Sequence, residues 1–288
     1  MRSKQAYNGL FVGLITLDAI YLADGVPSSN QKIVASDCTI AAGGPATNAA
    51  VTFSYLGNRA TLLGVLGTHP IAELIKADLV KCQVAIADLK PMSNQVPPVS
   101  SIIVTQSTGE RAVISINAVN NQATSELVSP DILANNDIVL IDGHQIAVGQ
   151  AIAQLAKSKN IPVVIDGGSW KPGFENILPF VDYAICSTNF YPPNCKNITE
   201  VFAYFRKFDI TNIAITCGQK PIQYLDGDKI KFIETPQVKV VDTLGAGDIF
   251  HGAFCYYIIY ENFTNALAAA AKVAANSCQF FGTRWMIN

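Results

Sequence analysis

Apolar and polar positions follow two rhythms along this chain. The run Leu10-Phe11-Val12-Gly13-Leu14-Ile15 has no helical spacing and predicts a buried strand ending near Thr16-Leu17-Asp18, where a carboxylate follows the apolar stretch. A glycine-rich approach, residues 39–45, leads into a predicted helix over 45–55, with Pro45 at its first position and Gly57 just past its end. Residues 60–65 predict a second strand. Residues 71–81 predict a helix with Ile71, Leu74, Ile75 and Leu79 on one side. Residues 100–117 differ: the β-rich runs 102–105 and 112–116 flank Ser107-Thr108-Gly109-Glu110, a hairpin signal.

From residue 120 on, strands and helices alternate: strands over 138–142, 161–166, 183–186 and 212–216, with helices over 148–159, 174–180 and 199–208. Such units bury both faces of a mostly parallel sheet and connect by right-handed crossovers. Polar residues collect just after the strands, at Asp142-Gly143-His144, Asp166-Gly167-Gly168, Ser187 and Cys217-Gly218, where open α/β sheets bind ligands. Residues 224–236 predict an antiparallel excursion, and 248–260 and 264–277 two helices. The 288 residues show no repeat and no low-complexity linker, so one domain is expected.

Composition narrows the classes. Charged residues are 15%, hydrophobic ones 50%, and the net charge is −2, which excludes a disordered chain and gives no basic stripe for nucleic acid. Seven cysteines without a CxxC pair, and three scattered histidines, give no zinc spacing; most of the thiols sit in apolar runs and read as buried and reduced. No stretch reaches 18 uncharged apolar residues and no leader is evident, so neither a membrane span nor export is expected, and a cytoplasmic location is the default.

The sharpest chemistry lies in Asp242-Thr243-Leu244-Gly245-Ala246-Gly247-Asp248. It opens an apolar, aromatic-rich run over 249–260, a helix expected to be buried nearly all round. Gly245, Ala246 and Gly247 carry so little bulk that their N–H groups can converge on one point, an anion nest at a helix N-terminus. Asp248, in the first turn, can take a proton from an alcohol while the nest holds a moving phosphoryl group. The residues alone fit an Asp-capped helix after a glycine turn equally well. Ala42-Gly43-Gly44-Pro45-Ala46-Thr47-Asn48 is a second close-approach turn, suited to a polyol because no Lys or Arg stands near it, yet also readable as an ordinary helix start. Asp18 can accept two sugar hydroxyls or sit as a solvated loop carboxylate. Gly13-Leu14-Ile15-Thr16 does not supply a dinucleotide fingerprint, which argues against an oxidoreductase.

The first strand, the Gly43-Gly44 turn and the Asp242–Asp248 motif together resemble the ribokinase-like (PfkB) carbohydrate kinases, closest to their ketohexokinase-like members, over nearly the whole chain. The resemblance implies a three-layer α/β/α sandwich with a small β lid, here about residues 18–40 and 98–118, with room for about one more strand between Asp18 and Thr39. It implies Asp248 as catalytic base, Gly245, Ala246 and Gly247 as anion hole, and Asp18, Gly44 and Asn48 as sugar ligands, with Arg111 on the lid as a further substrate contact. Nucleotide is expected against Ser187, Thr216, Gly218 and Asn276, and Arg284 on phosphate. Mg²⁺ would travel with ATP, and Asp242 would help hold a monovalent cation such as K⁺. The implied activity is ATP-dependent phosphorylation of a sugar's primary hydroxyl, a ketose such as fructose first, with ribose, a nucleoside or 2-keto-3-deoxygluconate open. The implied partners are sugar, ATP and a second copy of the chain through the lid.

Three positions depart from that pattern. Ser187-Thr188-Asn189-Phe190 lacks the Glu of the relatives' Asn-x-x-Glu, Pro221 replaces a glycine in the ATP loop, and Pro45 replaces a side chain that touches sugar in some relatives. The missing Glu and Pro221 carry the alternative of a sugar- or nucleotide-binding regulatory protein on a kinase scaffold, while Pro45, which cannot donate a hydrogen bond, implies a differently recognised substrate.

Overall fold

The computed structural model describes residues 6–286. Its larger sheet has nine strands: Asn8–Val12 (β1), Arg59–Gly64 (β4), Val84–Asp88 (β5), Ile138–Ile141 (β8), Val163–Gly167 (β9), Tyr183–Ser187 (β10), Asn212–Cys217 (β11), Lys220–Asp226 (β12) and Lys229–Ile233 (β13). The order is β13-β12-β11-β10-β9-β8-β1-β4-β5, parallel from β5 to β11, with the last two strands antiparallel. Successive strands are added on one side of β1 up to β5 and on its other side from β8 onward, so the parallel neighbours β1 and β8 mark the switch point where a crevice forms at the carboxyl ends.

Alternation along each strand divides the core. Phe11 and Leu140 point to the layer of Pro45–Tyr55 (α1), Pro70–Lys81 (α2), Ala246–Tyr257 (α5) and Phe263–Ser277 (α6). Leu10, Val12, Val139 and Ile141 point to the layer of Ile146–Ser158 (α3) and Ile198–Arg206 (α4). The result is a three-layer α/β/α sandwich around a mostly parallel sheet.

A second sheet stands beside this body. It contains Thr16–Ala23 (β2), Asp37–Gly43 (β3), Val99–Thr105 (β6) and Arg111–Ser115 (β7), in the order β3-β2-β6-β7. The hairpin expected over 102–116 is the β6–β7 pair. The Asp18–Thr39 stretch differs from expectation, holding parts of two strands that pair with each other from Thr16↔Gly43 to Leu22↔Asp37. The cause is a break in the first apolar run. Gly13-Leu14-Ile15 leaves the main sheet, and the chain re-enters a strand at Thr16, so Asp18 lies inside β2 rather than at the end of β1.

Smaller differences have local causes. Leu74 is 54% exposed while Ala72, Ile75 and Leu79 face the core, so the buried stripe of α2 is narrower than its apolar residues suggest. The short helix over 174–180 is two 3₁₀ turns, Phe174–Asn176 and Leu178–Phe180, since Pro179 supplies no N–H to a longer ladder. The edge strand β5 has only two apolar alternations, Val84 and Ile86, and the pattern does not signal it.

Candidate active site

Three segments meet at the crevice: the Gly43-Gly44 turn, the N-terminus of α5 and the tail around Thr283-Arg284. Gly44 has φ 106°, and a Cβ there would lie 2.3 Å from the Leu14 carbonyl oxygen. A Cβ at Gly43 would lie 1.9 Å from Asp18 Oδ2, so glycine makes the space for that carboxylate. Asp18 is 6% exposed, and Thr16 Oγ1 donates to its Oδ1 at 2.6 Å. Burial raises its carboxyl above the ordinary 3.8, against hydrogen bonds from Thr16 and Ser100 and the Arg284 charge.

The chain segments 200 residues apart join through one hydrogen bond. Asn48 Nδ2, in the first turn of α1, donates to Asp248 Oδ2 at 2.8 Å. The amide's other end is held as well, since Arg284 Nη1 donates to Asn48 Oδ1 at 3.1 Å. Arg284 also donates from Nε to Asp78 Oδ2 at 3.0 Å and from Nη2 to the Ala42 carbonyl. It therefore does not reach out to phosphate, as expected of it. It is a part-buried clamp between the tail, α2 and β3, and it fixes which face of Asn48 meets Asp248.

Asp248 lies part-buried in the first turn of α5. Burial first, and the nearby Asp166 carboxylate second, raise its carboxyl from 3.8 to about 7, against the Asn48 hydrogen bond and the positive charges of His251 and Arg111. A carboxylate so placed is poised to take a proton near neutrality. Ahead of it, Gly245 adopts φ 69° as the helix cap, and no side chain caps the helix. Ala246 and Gly247 line a cavity of about 440 Å³, and Gly247 has open space where a Cβ would stand.

That cavity extends along the ends of β10 and β11. Ser187, Thr216 and Gly218 line it, with Ala271, Ala275 and Cys278 along the α6 side. Asn276 does not: it lines a separate groove beside Tyr55, Lys272 and Trp285. One residue along a helix rotates the side chain by about 100°, enough to carry position 276 off the face that Ala275 occupies. Ser187 is held inward, its Oγ donating to the Gly168 carbonyl and accepting from Asn189 N–H. Pro221 falls opposite a register irregularity between Ile215 and Cys217, where its missing N–H breaks no ladder bond.

Arg111, expected at the sugar, stands on the wall of the same cavity. Its Nη1 donates to Thr243 Oγ1 at 3.2 Å. Thr243 in turn ties the hairpin tip, donating from N and Oγ1 to the Gly109 carbonyl at 3.1 and 3.0 Å. Asp242 is buried and accepts from Leu244 N–H at 2.7 Å and Gly282 N–H at 2.9 Å, so it staples the motif loop to the tail.

Asp142, which the sequence marks only as one of the polar strand ends, has a definite place in the crevice. Its carboxylate sits on Gly13 at the β1–β8 crevice and accepts from Leu14 N–H at 2.9 Å and Ala46 N–H at 3.1 Å. Burial would raise this group, but His144, the Leu14 N–H and Lys171 outweigh it and hold it at about 2. The signal available was an Asp-Gly pair closing an apolar strand.

Among the described residues no group of three or more His, Cys, Asp or Glu could hold a metal ion. The cavity, with an open helix N-terminus and Arg111 at its wall, instead fits a polyanion that brings its own cation. Among the described residues no helix is long and apolar enough to cross a membrane.

Known proteins place the chain in a family. The model of the pfkB family carbohydrate kinases matches residues 9–287. The chain is 23% identical over 286 residues to the ribokinase of Lactococcus lactis, covering 95% of this chain and 91% of that one. It is 24% identical over 298 residues to the ketohexokinase of Mus musculus, covering 98% of each. A solved putative ribokinase from Agrobacterium tumefaciens superposes with a TM-score of 0.86 at 23% identity, over 98% of this chain and 94% of that one. The chain belongs to the pfkB family of carbohydrate kinases, and with that family it is an ATP-dependent phosphotransferase acting on sugar-like alcohols.

Proposed function

We propose that this protein transfers the γ-phosphoryl group of ATP to a primary hydroxyl of a free sugar, with a ketose such as fructose as first candidate. The reading rests chiefly on the Asn48–Asp248 hydrogen bond, which brings the carboxylate beside the nest to the end of the Gly43-Gly44 turn. Asp18 accepts sugar hydroxyls, and Gly44 and Asn48 border them. Asp248 takes the proton of the attacking hydroxyl, the oxygen bonds to the γ-phosphorus, and ADP leaves with the cleaved bond's electron pair. Ala246 and Gly247 N–H groups, with Gly245 as the turn, stabilise the charge on the phosphoryl oxygens. Adenine and ribose lie along Ser187, Thr216 and Gly218, and Arg111 serves the phosphates. Mg²⁺, carried on the ATP phosphates, supplies charge neutralisation there.

The small sheet acts as a lid that excludes water while the sugar is bound. Its exposed apolar side chains Ile40 and Ile114, in one cross-strand row and so on one face, support a homodimer through that sheet, read by mass in solution. A monovalent cation beside Asp242 belongs to the same reading and is tested by exchanging K⁺ for tetramethylammonium.

The deciding experiment is a coupled ADP assay over free hexoses, pentoses, keto acids and nucleosides. Turnover with a ketose supports the reading, and ADP release with a nucleoside alone redirects it. Thermal stabilisation by a sugar without ADP release would instead mark a binding protein. Asp18→Ala is expected to raise KM for sugar far more than KM for ATP; equal losses of both would remove Asp18 from the sugar site.

A further inference from the structure

One turn behind Asp248, α5 carries a second titratable residue that the phosphoryl-transfer scheme leaves without a task. His251 is 3% exposed. Its Nδ1 lies 2.7 Å from the Gly247 carbonyl oxygen, and its Nε2 lies 3.1 Å from the Ile185 carbonyl oxygen in β10. Carbonyl oxygens only accept hydrogen bonds. A neutral imidazole has one N–H and would turn its bare nitrogen toward an oxygen lone pair. Only a ring with both protons satisfies the two neighbours.

A second observation asks for the same charge. Asp166, at the end of β9, is 4% exposed, and its Oδ2 has no hydrogen-bond donor among the described residues. That oxygen lies 3.3 Å from His251 Nδ1. A buried carboxylate without a countercharge is costly, and the imidazolium is the cation within reach. Two buried thiols, Cys186 on β10 and Cys255 on α5, also face Asp166; burial and its charge both push them up, which keeps them neutral.

The first turn of α5 is thereby anchored. In a helix the Gly247 carbonyl already accepts from the backbone N–H four residues on, which is that of His251 itself. The ring adds a second bond to the same oxygen and ties it across to β10, the strand whose end lines the nucleotide cavity.

We propose that His251 and Asp166 are positioning residues for the Asp248 base. The imidazolium holds the Gly247–Asp248 peptide against β10, and the two charges act on the base with opposite sign. The inference rests on Asp248 being that base. The charged groups facing Asp248 come from three elements, Asp166 from β9, His251 from α5 and Arg111 from β7, while Asn48 of α1 donates to it. Asp166 favours the protonated carboxyl; His251 and Arg111 favour the ionised one.

The test is the pH profile of kcat/KM for the sugar at saturating MgATP, in wild type, His251→Gln and Asp166→Asn. Wild type must first show an acid limb that Asp248→Asn abolishes; a profile without that limb overturns the base assignment itself. Given the limb, His251→Gln is expected to move it to higher pH and Asp166→Asn to lower pH. Each unit of displacement changes kcat/KM about tenfold at a fixed pH on the limb. Shifts of the same sign, or unshifted limbs with lower kcat, would reduce the pair to scaffolding and overturn the proposal. A readout free of substrate and of variant folding is the imidazole ¹⁵N spectrum of the wild-type protein at pH 7. A doubly protonated buried ring supports the proposal, and a neutral tautomer at that position refutes it.

Discussion

Helices α1 and α5 begin in the same way and end up doing different things. Each follows a glycine in the left-handed region, Gly44 at φ 106° and Gly245 at φ 69°, and neither has a side-chain cap. Both therefore present unpaired N–H groups and the positive end of a helix dipole. At α1 the protein supplies the anion from within: Asp142 reaches over from β8 and accepts the Ala46 N–H, and the first turn is buried. At α5 no side chain closes the end, and Gly247 opens on the cavity. A glycine turn before a helix thus specifies a place for negative charge. Whether that place is structural or serves a passing phosphoryl group depends on what a distant strand brings to it.

The largest blow to the open end is Asp248→Asn. On the proposed function it removes the proton acceptor and leaves the backbone N–H groups of the helix start, so turnover should fall about 10²-fold or more while ATP still stabilises the protein against heat. Near-normal turnover would show that the open end works without its carboxylate.

At the closed end the effect is on stability. Asp142 is held at about 2 in the folded chain against an ordinary 3.8, so its contribution is fully present above about pH 4 and is lost as the pH falls through 2. That contribution is roughly 2 kcal/mol. Urea melts of wild type should show the loss between those pH values, and Asp142→Asn should lack it while being less stable at pH 7. A variant with wild-type stability at pH 7 would mean that the α1 end needs no internal anion.

Arg284 couples the two ends through Asn48. Arg284→Gln should free the amide to turn, lowering kcat/KM for the sugar by about tenfold with a smaller change in KM for ATP, because one charge-assisted hydrogen bond is of that order. Equal effects on both substrates would show a loosened tail rather than a misdirected amide. The smallest effect belongs to Asn276→Ala, which should leave KM for ATP unchanged since the side chain lines another groove; a clear rise would return it to the nucleotide.

Much of the site was legible because glycine and proline punctuate it. The α1 bounds follow from Pro45 and Gly57, and the glycine turn that opens α5 from Gly245-Ala246-Gly247. What local pattern could not carry was pairing across long separations. Asn48 and Asp248, Arg284 and Asp78, and Asp142 and Ala46 are partners only once the sheet is wound. The break at Gly13-Leu14-Ile15 was hidden for a different reason: apolar residues crossing between two sheets look the same as apolar residues within one. Asn276 and Ala275 differ by a single helical step, and element boundaries alone do not resolve which of them faces the larger cavity's side of α6.

The Thr243–Gly109 contact ties the small sheet to the loop that leads into α5. Any outward swing of the β6–β7 hairpin must break both Thr243 bonds to Gly109 and the Arg111 bond to Thr243. Those bonds act on the loop that runs from Asp242 to the start of α5. The position of the hairpin and the shape of the Asp242–Asp248 loop are therefore coupled through these three bonds.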